Sequence, residues 1–331
     1  MELYEKNGNI LYILNVLKKY SDADHILSAS EIKEKIQELY GETIDSRTLR
    51  RNINLLKYKF GLDISTYNDN KKGYFITNDP ETDFEPGEVR AIIDNFSYAN
   101  YIVPSIAKNI IKKCKKMQTV YENEKIKDYQ IYANDSKTEN AEVIKNIEDI
   151  STSIYENKKI QFEYWKYALT NKLEKKVVST PTVSPYAIVY SKQEFYLIAI
   201  KEGLDVFYNY RLDRIKNIKI LDDKITIKKS KSEIQDFAES STEMFGGKKE
   251  EIEVICHVLL LDTIFDTFGK NIAIERIPNN EEYFKFKVNT NPLGFKMWAM
   301  RNIDLVEVIK PKSLRNEMKD IIKSASEKYN K

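Results

Sequence analysis

The stretch Ser184-Pro-Tyr-Ala-Ile-Val-Tyr-Ser-Lys-Gln-Glu-Phe-Tyr-Leu-Ile-Ala199, with Asn209-Tyr-Arg-Leu-Asp-Arg-Ile215 close behind it, constrains the architecture more than any other part of the chain. Apolar and polar residues alternate in short runs broken by tight turns such as Ser191-Lys-Gln and Glu202-Gly-Leu, the pattern of small antiparallel strands. Lys159 to Tyr167 and Lys175 to Thr180 add strands before it, so the whole reads as a small β-barrel over residues 157–230. Arg211 and Arg214 stand beside strands that carry Tyr186, Tyr190, Tyr196, Tyr208 and Tyr210. A guanidinium pairs bidentately with phosphate and a nucleobase stacks on an aromatic ring, so the expected ligand is a nucleotide or a short single strand.

Upstream, Ile10, Leu11, Ile13, Leu14 and Leu17 recur at helical spacing. Ser28-Ala-Ser-Glu31 has capping-box spacing ahead of a second helix with Ile32, Ile36 and Leu39 on its buried face, and Gly41 ends that helix. Asp45 or Ser46 caps a third, with Leu49, Ile53 and Leu56 inward. Its other face then carries Arg47, Arg50, Arg51 and Asn54, at i, i+3, i+4 and i+7. Two β-prone runs, 63–67 and 73–77, flank the turn-rich Asn68-Asp-Asn-Lys-Lys72. From Arg47 to Lys72 seven basic residues face two carboxylates, a net charge of +5 in a chain whose overall charge is only +2. Three helices and a basic hairpin make residues 1–80 a winged helix-turn-helix, in which the third helix enters the major groove and the wing holds phosphates. The expected DNA contacts are Ser46, Arg47, Thr48, Arg50, Arg51, Asn54, Lys71 and Lys72.

Residues 81–156 read as a helical linker, with helices from Phe84, from Ile106 and from Ala141 to Glu156, and a polar linker stretch Tyr132–Asn140. The lysines between Lys108 and Lys116 read as a solvated face. Residues 231–331 alternate strands (from Glu251, Tyr283 and Asp304) with helices (from Asp262, Gly294 and Leu314), an α+β domain. The fold class is therefore multidomain α+β.

The barrel stretch resembles the WYL-domain transcriptional regulators of bacteria. Their Trp-Tyr-Leu motif stands here as Phe195-Tyr196-Leu197, with Pro185-Tyr186 before it and Arg211-Leu-Asp-Arg-Ile215 after it. Phe195 keeps an apolar ring but lacks the indole donor. Phe295-Lys-Met-Trp-Ala-Met-Arg301, Val306-Glu-Val-Ile-Lys-Pro311 and Leu314-Arg315 resemble the C-terminal WCX extension that commonly follows such domains. The resemblance implies an Sm-like or SH3-like barrel that senses a nucleic-acid-derived ligand such as short single-stranded DNA. It also implies a ligand set of Ser184, Tyr186, Tyr196, Arg211 and Arg214, and a homodimer on double-stranded operator DNA. Arg211 is expected to be the anion-binding arginine, while for Arg214 an ion pair with Asp213 or another acidic neighbour is the alternative expectation.

At 331 residues, 42% hydrophobic and 31% charged, the chain is long enough for several folded domains. Cys114 and Cys256 are far apart and have no second ligand at metal spacing, which predicts neither a disulfide nor a zinc site. No phosphate-binding glycine loop, nucleophile elbow or His-Glu-x-x-His motif occurs, so no enzyme and no cofactor are expected. The opening Met-Glu-Leu-Tyr-Glu-Lys has neither a leader pattern nor an apolar span, and the expected location is the cytoplasm. Two other readings use the same residues. One is an RNA- or single-strand-binding accessory protein built on the barrel aromatics, the other a metal-dependent nuclease using Asp222 and Asp223.

Overall fold

The computed structural model describes residues 2–79, 81, 83–127, 137–169, 173–240, 249–270 and 272–330. The chain divides into two compact units, Met1–Lys137 and Thr138–Lys331. Of the polar stretch read as a linker, residues 132–136 lie outside the described residues.

The first unit opens with α1 (Glu2–Tyr20), α2 (Ala29–Tyr40) and α3 (Ser46–Tyr58). The start of α2 is fixed by the reciprocal Ser28–Glu31 capping box, and Gly41 ends it at φ 73°, a left-handed conformation that glycine adopts without strain. Asp45 caps α3: its Oδ1 accepts from the amides of Arg47 and Thr48, worth about 1 kcal/mol. Ile13, Leu17, Ile32, Ile36, Leu49, Ile53 and Leu56 interlock beneath the three helices. Truncating Leu49 in that core costs roughly 2–5 kcal/mol.

The wing departs from the sequence reading. Its paired strands, β1 (Ile64–Ser65) and β2 (Phe75–Ile76), have two residues each, and a helical turn, α4 (Tyr67–Asn70), sits between them where a bare hairpin tip was expected. Asp69 is the cause, since its Oδ2 accepts from both the amide and the hydroxyl of Thr66 and winds the intervening residues into a turn. The segment between α1 and α2 joins the wing through a Leu27–Tyr74 bridge. The chains approach there so closely that a Cβ at Gly73 would strike the Leu27 carbonyl. Further on lie α5 (Pro86–Tyr98), α6 (Pro104–Lys115) and α7 (Val120–Lys127), with Val89, Ile93, Cys114 and Ile126 buried among them. Lys108, Lys112, Lys113 and Lys116 are exposed and make no ion pair among the described residues.

The second unit begins with α8 (Val143–Tyr155), which packs on the sheet that follows. That sheet contains β3 (Lys158–Leu169), β4 (Leu173–Ser179), β5 (Thr182–Ser191), β6 (Glu194–Lys201), β7 (Phe207–Arg211) and β8 (Ile215–Lys224). Its order is β4-β3-β5-β6-β7, with β8 on β3. Strands β7 and β8 are consecutive in the chain yet lie at opposite ends of this order, joined only by the 3-10 turn Leu212–Arg214, so the sheet has to curl. Ile160, Phe162, Leu197, Leu212 and Ile215 fill the inside of the curl. The strand at Ile215–Lys224 escapes sequence reading because lysines and aspartates interrupt its apolar alternation.

After α9 (Lys231–Ser240), the C-terminal part is built from β9 (Glu250–His257), α10 (Leu261–Phe268), β10 (Ile274–Ile277), β11 (Asn280–Thr290), α11 (Pro292–Arg301), β12 (Val306–Lys310) and α12 (Lys312–Tyr329). The antiparallel order is β10-β11-β9-β12, over a core of Ile252, Val254, Phe284, Phe286, Phe295 and Trp298. The short strand β10, missed in the sequence, pairs with β11 across a two-residue turn whose Asn279 has φ 62°. Cys256 is buried in this core, where its thiol pKa is pushed up to about 12 by burial, and Cys114 is buried in the other unit; both are free.

Candidate functional site

Two groups of arginines stand out, one in each unit. On α3 the periodicity that buries Leu49, Ile53 and Leu56 turns Arg47, Arg50, Arg51 and Asn54 outward, and all four are exposed. None of the three arginines forms an ion pair among the described residues. Thr48 is half-buried and spends its hydroxyl on Asp45 at 2.7 Å, while the Ser46 hydroxyl accepts from Lys33 at 3.3 Å. In the wing, Lys71 and Lys72 are exposed; the Lys71 ammonium donates to the Asn68 carbonyl at 3.1 Å. Lys57 is already paired with Asp69 at 2.7 Å. That bond, with those from Thr66, holds the Asp69 carboxyl down at about 2.

The second group is assembled by strand register. The turn between β5 and β6 is the two-residue Lys192-Gln193, both with positive φ, which pairs Ser191 with Glu194 and makes Glu194 the first residue of β6. Tyr196 then lies opposite Arg211. Glu194, two residues earlier, shares Tyr196's face of the strand. The chain turns at Leu212–Arg214 and brings Asp213 back to the same place. Arg211 is held on both sides: Nε and Nη2 donate to the two oxygens of Asp213 at 2.9 Å each, and Nη2 donates to Glu194 Oε1 at 2.6 Å. Its side chain is 27% exposed, those of Glu194 and Asp213 only 11% and 14%.

Glu194 is unusual. Its Oε2 is buried and has no hydrogen-bond partner among the described residues. Burial, reinforced by the Asp213 charge and opposed by Arg211 and Arg214, raises its carboxyl to about 7. Arg214 approaches the Tyr164 hydroxyl and forms no ion pair among the described residues. The expected Asp213–Arg214 pair is thus not formed: Asp213 takes Arg211, because the 3-10 turn folds its carboxylate back along β7. Tyr164, Phe162 and Tyr210 meet edge to face at 5.2–6.4 Å behind this cluster, and Tyr164 Oη accepts from the Arg211 amide.

Tyr196, Arg211 and Arg214 are therefore brought together, and Ser184 and Tyr186 are not. Ser184 pairs with Ile200, four residues and about 13 Å along β6 from Tyr196. Tyr186 is the extra residue of a bulge; its ring packs on Phe207 and its hydroxyl donates to the Ile227 carbonyl at 2.7 Å. Within the Phe-Tyr-Leu motif, Phe195 packs on Tyr190, Leu197 is core, and only Tyr196 faces the arginine. Glu194 is the residue sequence reasoning missed. The signal was the tight turn just before it, which puts position 194 on Tyr196's face.

The sequence profile of the WYL domain matches residues 145–220, which includes all of this cluster and most of α8. No curated protein matches the chain. Among solved structures, the chain is similar to proteasome accessory factor B/C (PafBC) of Arthrobacter aurescens, at 14% identity over 99% of this chain and 49% of that one, with a TM-score of 0.27. It is also similar to a CRISPR Cas-related protein, at 14% identity over 98% of this chain and 85% of that one, with a TM-score of 0.35. The chain spans about half the length of the PafBC chain.

Proposed function

The chain carries a WYL domain, and from that premise we propose that it is a sequence-specific DNA-binding transcriptional regulator whose barrel binds a nucleic-acid-derived ligand. The observation that carries the DNA half is the outward face of α3, where three arginines and an asparagine stand on a firmly capped helix with no carboxylate paired to them among the described residues. In this reading residues 1–80 are a winged helix-turn-helix. Arg47, Arg50, Arg51 and Asn54 read base edges, Ser46 and Thr48 help to seat the helix start, and Lys71 and Lys72 hold the phosphate backbone. The curled sheet is an SH3-like sensor barrel with α8 attached, and residues 231–331 are a WCX-type extension of a homodimer that meets two half-sites. No catalytic step is assigned, and the place of action is the cytoplasm.

At the barrel the ligand is a short single-stranded DNA or a nucleotide, held by Arg211 and Arg214 beside Tyr196. Ser184 and Tyr186 would act from further along the sheet. Ligand binding alters promoter affinity only to the extent that the DNA-competent and DNA-incompetent states bind the ligand differently. The test is an electrophoretic mobility shift with the DNA upstream of the protein's own gene, titrated with salt and with short single strands. Specific binding that weakens steeply with salt and responds to the single strands is the expected result. Tyr190 and Tyr208, 48% and 39% exposed, also favour a second reading as an RNA- or single-strand-binding accessory protein. Tight single-strand binding without any duplex binding in the same assay would establish that reading instead.

A further inference from the structure

The Arg211 site carries its own counter-ions, and that limits what can bind there. We propose that it takes a terminal phosphate, the phosphomonoester end of a nucleotide or short strand, in place of the Glu194 contact, and that Glu194 takes up a proton as the phosphate binds. This rests on the sensor reading of the barrel and narrows it to one end chemistry.

Three observations lead to it. First, the fork of Arg211 is only partly committed: Nε and Nη2 are engaged with Asp213 and Glu194, whereas Nη1 makes no hydrogen bond among the described residues. An incoming group that replaces Glu194 can use Nη1 and Nη2 together, the two-point geometry in which guanidinium binds phosphate most strongly.

Second, the charges balance in the unliganded cluster. Arg211 and Arg214 offset Glu194 and Asp213, so with both carboxylates ionised the site has no net pull on an anion. With Glu194 protonated the site gains one positive charge. Groups facing Glu194 are Asp213 and Arg214 from the turn, Arg211 from β7 and Tyr196 from its own strand, while β5 presents the non-titrating Ser191. Glu194 holds its proton up to about neutral pH, chiefly because it is buried.

Third, Glu194 is 91% buried by residue and its Oε2 has no partner among the described residues. As a carboxylate, that oxygen is a buried acceptor without a donor, which is costly. As a carboxylic acid it carries the proton and becomes a donor, which suits a phosphate oxygen. A monoester brings about −1.5 to −2 charges and three acceptor oxygens at neutral pH, against one charge on an internal diester. Only the monoester outweighs the carboxylate it displaces. Tyr196, opposite Arg211, offers a ring to the adjoining sugar or base.

The test is isothermal titration calorimetry of the full chain with three tetrathymidylates, bearing a 5′-phosphate, a 3′-phosphate or hydroxyls at both ends. Each is measured at pH 6, 7 and 8 and in two buffers of different ionisation enthalpy. The expected result is that at least one phosphorylated strand binds about tenfold or more tightly than the hydroxyl-ended strand, a gain of about one decade in Kd. About half a proton at most should be taken up at pH 7, where the unliganded Glu194 is already about half protonated, and more at pH 8. Glu194→Gln, which is neutral at every pH, should abolish that uptake and bind the phosphorylated strand more tightly than the native chain at pH 8. Equal affinity for all three strands, or proton uptake unchanged in Glu194→Gln, overturns the proposal while Arg211-dependent binding keeps the sensor reading. Failure of every strand to bind overturns both.

Discussion

The arginines of α3 and Arg211 of the curled sheet are chemically identical and differently placed. On α3 the guanidiniums project from a rigid helix, exposed, with no carboxylate within reach among the described residues. Arg211 is mostly buried and gripped by two carboxylates, one of them bidentate. An unpaired surface arginine is ready for a polyanion at all times, and its binding is limited only by salt. A caged arginine is conditional, because a ligand has to displace an internal competitor. The difference matches the division of labour proposed here, with permanent affinity in one unit and a gated response in the other.

The largest expected effect tests the ready-made side. Arg50→Ala combined with Arg51→Ala removes two candidate base contacts, each worth about 1–3 kcal/mol, so operator affinity should fall by about a thousandfold. Thermal stability should shift by no more than about 0.5 kcal/mol, because both side chains are exposed. A mobility-shift titration paired with a melting curve checks both; unaltered affinity would break the comparison at its stronger end.

Arg211→Ala should behave in the opposite way. It strands Glu194 and Asp213, both largely buried, without their cation, and should destabilise the second unit by about 3 kcal/mol. Urea unfolding monitored by barrel tyrosine fluorescence measures this. A loss as small as that of the α3 variants would mean that Arg211 is not caged in solution.

A somewhat smaller effect lies in the pH profile. Glu194 has a carboxyl raised from 4.5 to about 7, mainly by burial. The folded chain therefore holds this proton more tightly than the unfolded one, and the contribution favours the native state at low pH. It is complete below about 4.5, declines as pH rises towards 7, and is flat above that. The span is at most roughly 3 kcal/mol at 1.36 kcal/mol per unit. The difference between native and Glu194→Gln stability, followed by denaturant midpoints from pH 4.5 to 8, should carry this slope; parallel profiles would remove the proton from the account.

How much of this was legible in the residues differs between the two sites. The Ser28 box, the Asp45 cap and the outward face of α3 are local: each follows from residues within two turns of one another, and helical periodicity alone supplies the geometry. The cage is not local. Glu194 reaches Arg211 only through strand pairing across 17 positions, and Asp213 reaches it through a 3-10 turn that no propensity announces. The same distinction explains the unread strand β8, whose partner β3 lies well upstream in the chain, whereas the one-turn helix in the wing is a local effect in which Asp69 and Thr66 override a sequence that otherwise spells a turn. Sequence shows which side chains are available, and register decides which of them are spent.

The weakest predicted effect concerns the wing, which stands between the two extremes. Lys57 is spent on Asp69, whereas among the described residues the exposed Lys71 and Lys72 are tied to nothing stronger than a backbone carbonyl. If the proposed DNA contact holds and these two lysines meet phosphates, Lys71→Ala with Lys72→Ala should weaken binding to operator and random duplex alike, by about tenfold at moderate salt. The slope of log affinity against log salt should become shallower by about 2. Lys57→Ala should leave that slope unchanged, since its charge is already neutralised. A slope altered by Lys57 and not by Lys71 and Lys72 would show that DNA breaks the Lys57–Asp69 pair, making even this small ion pair a gate of the kind proposed at Arg211.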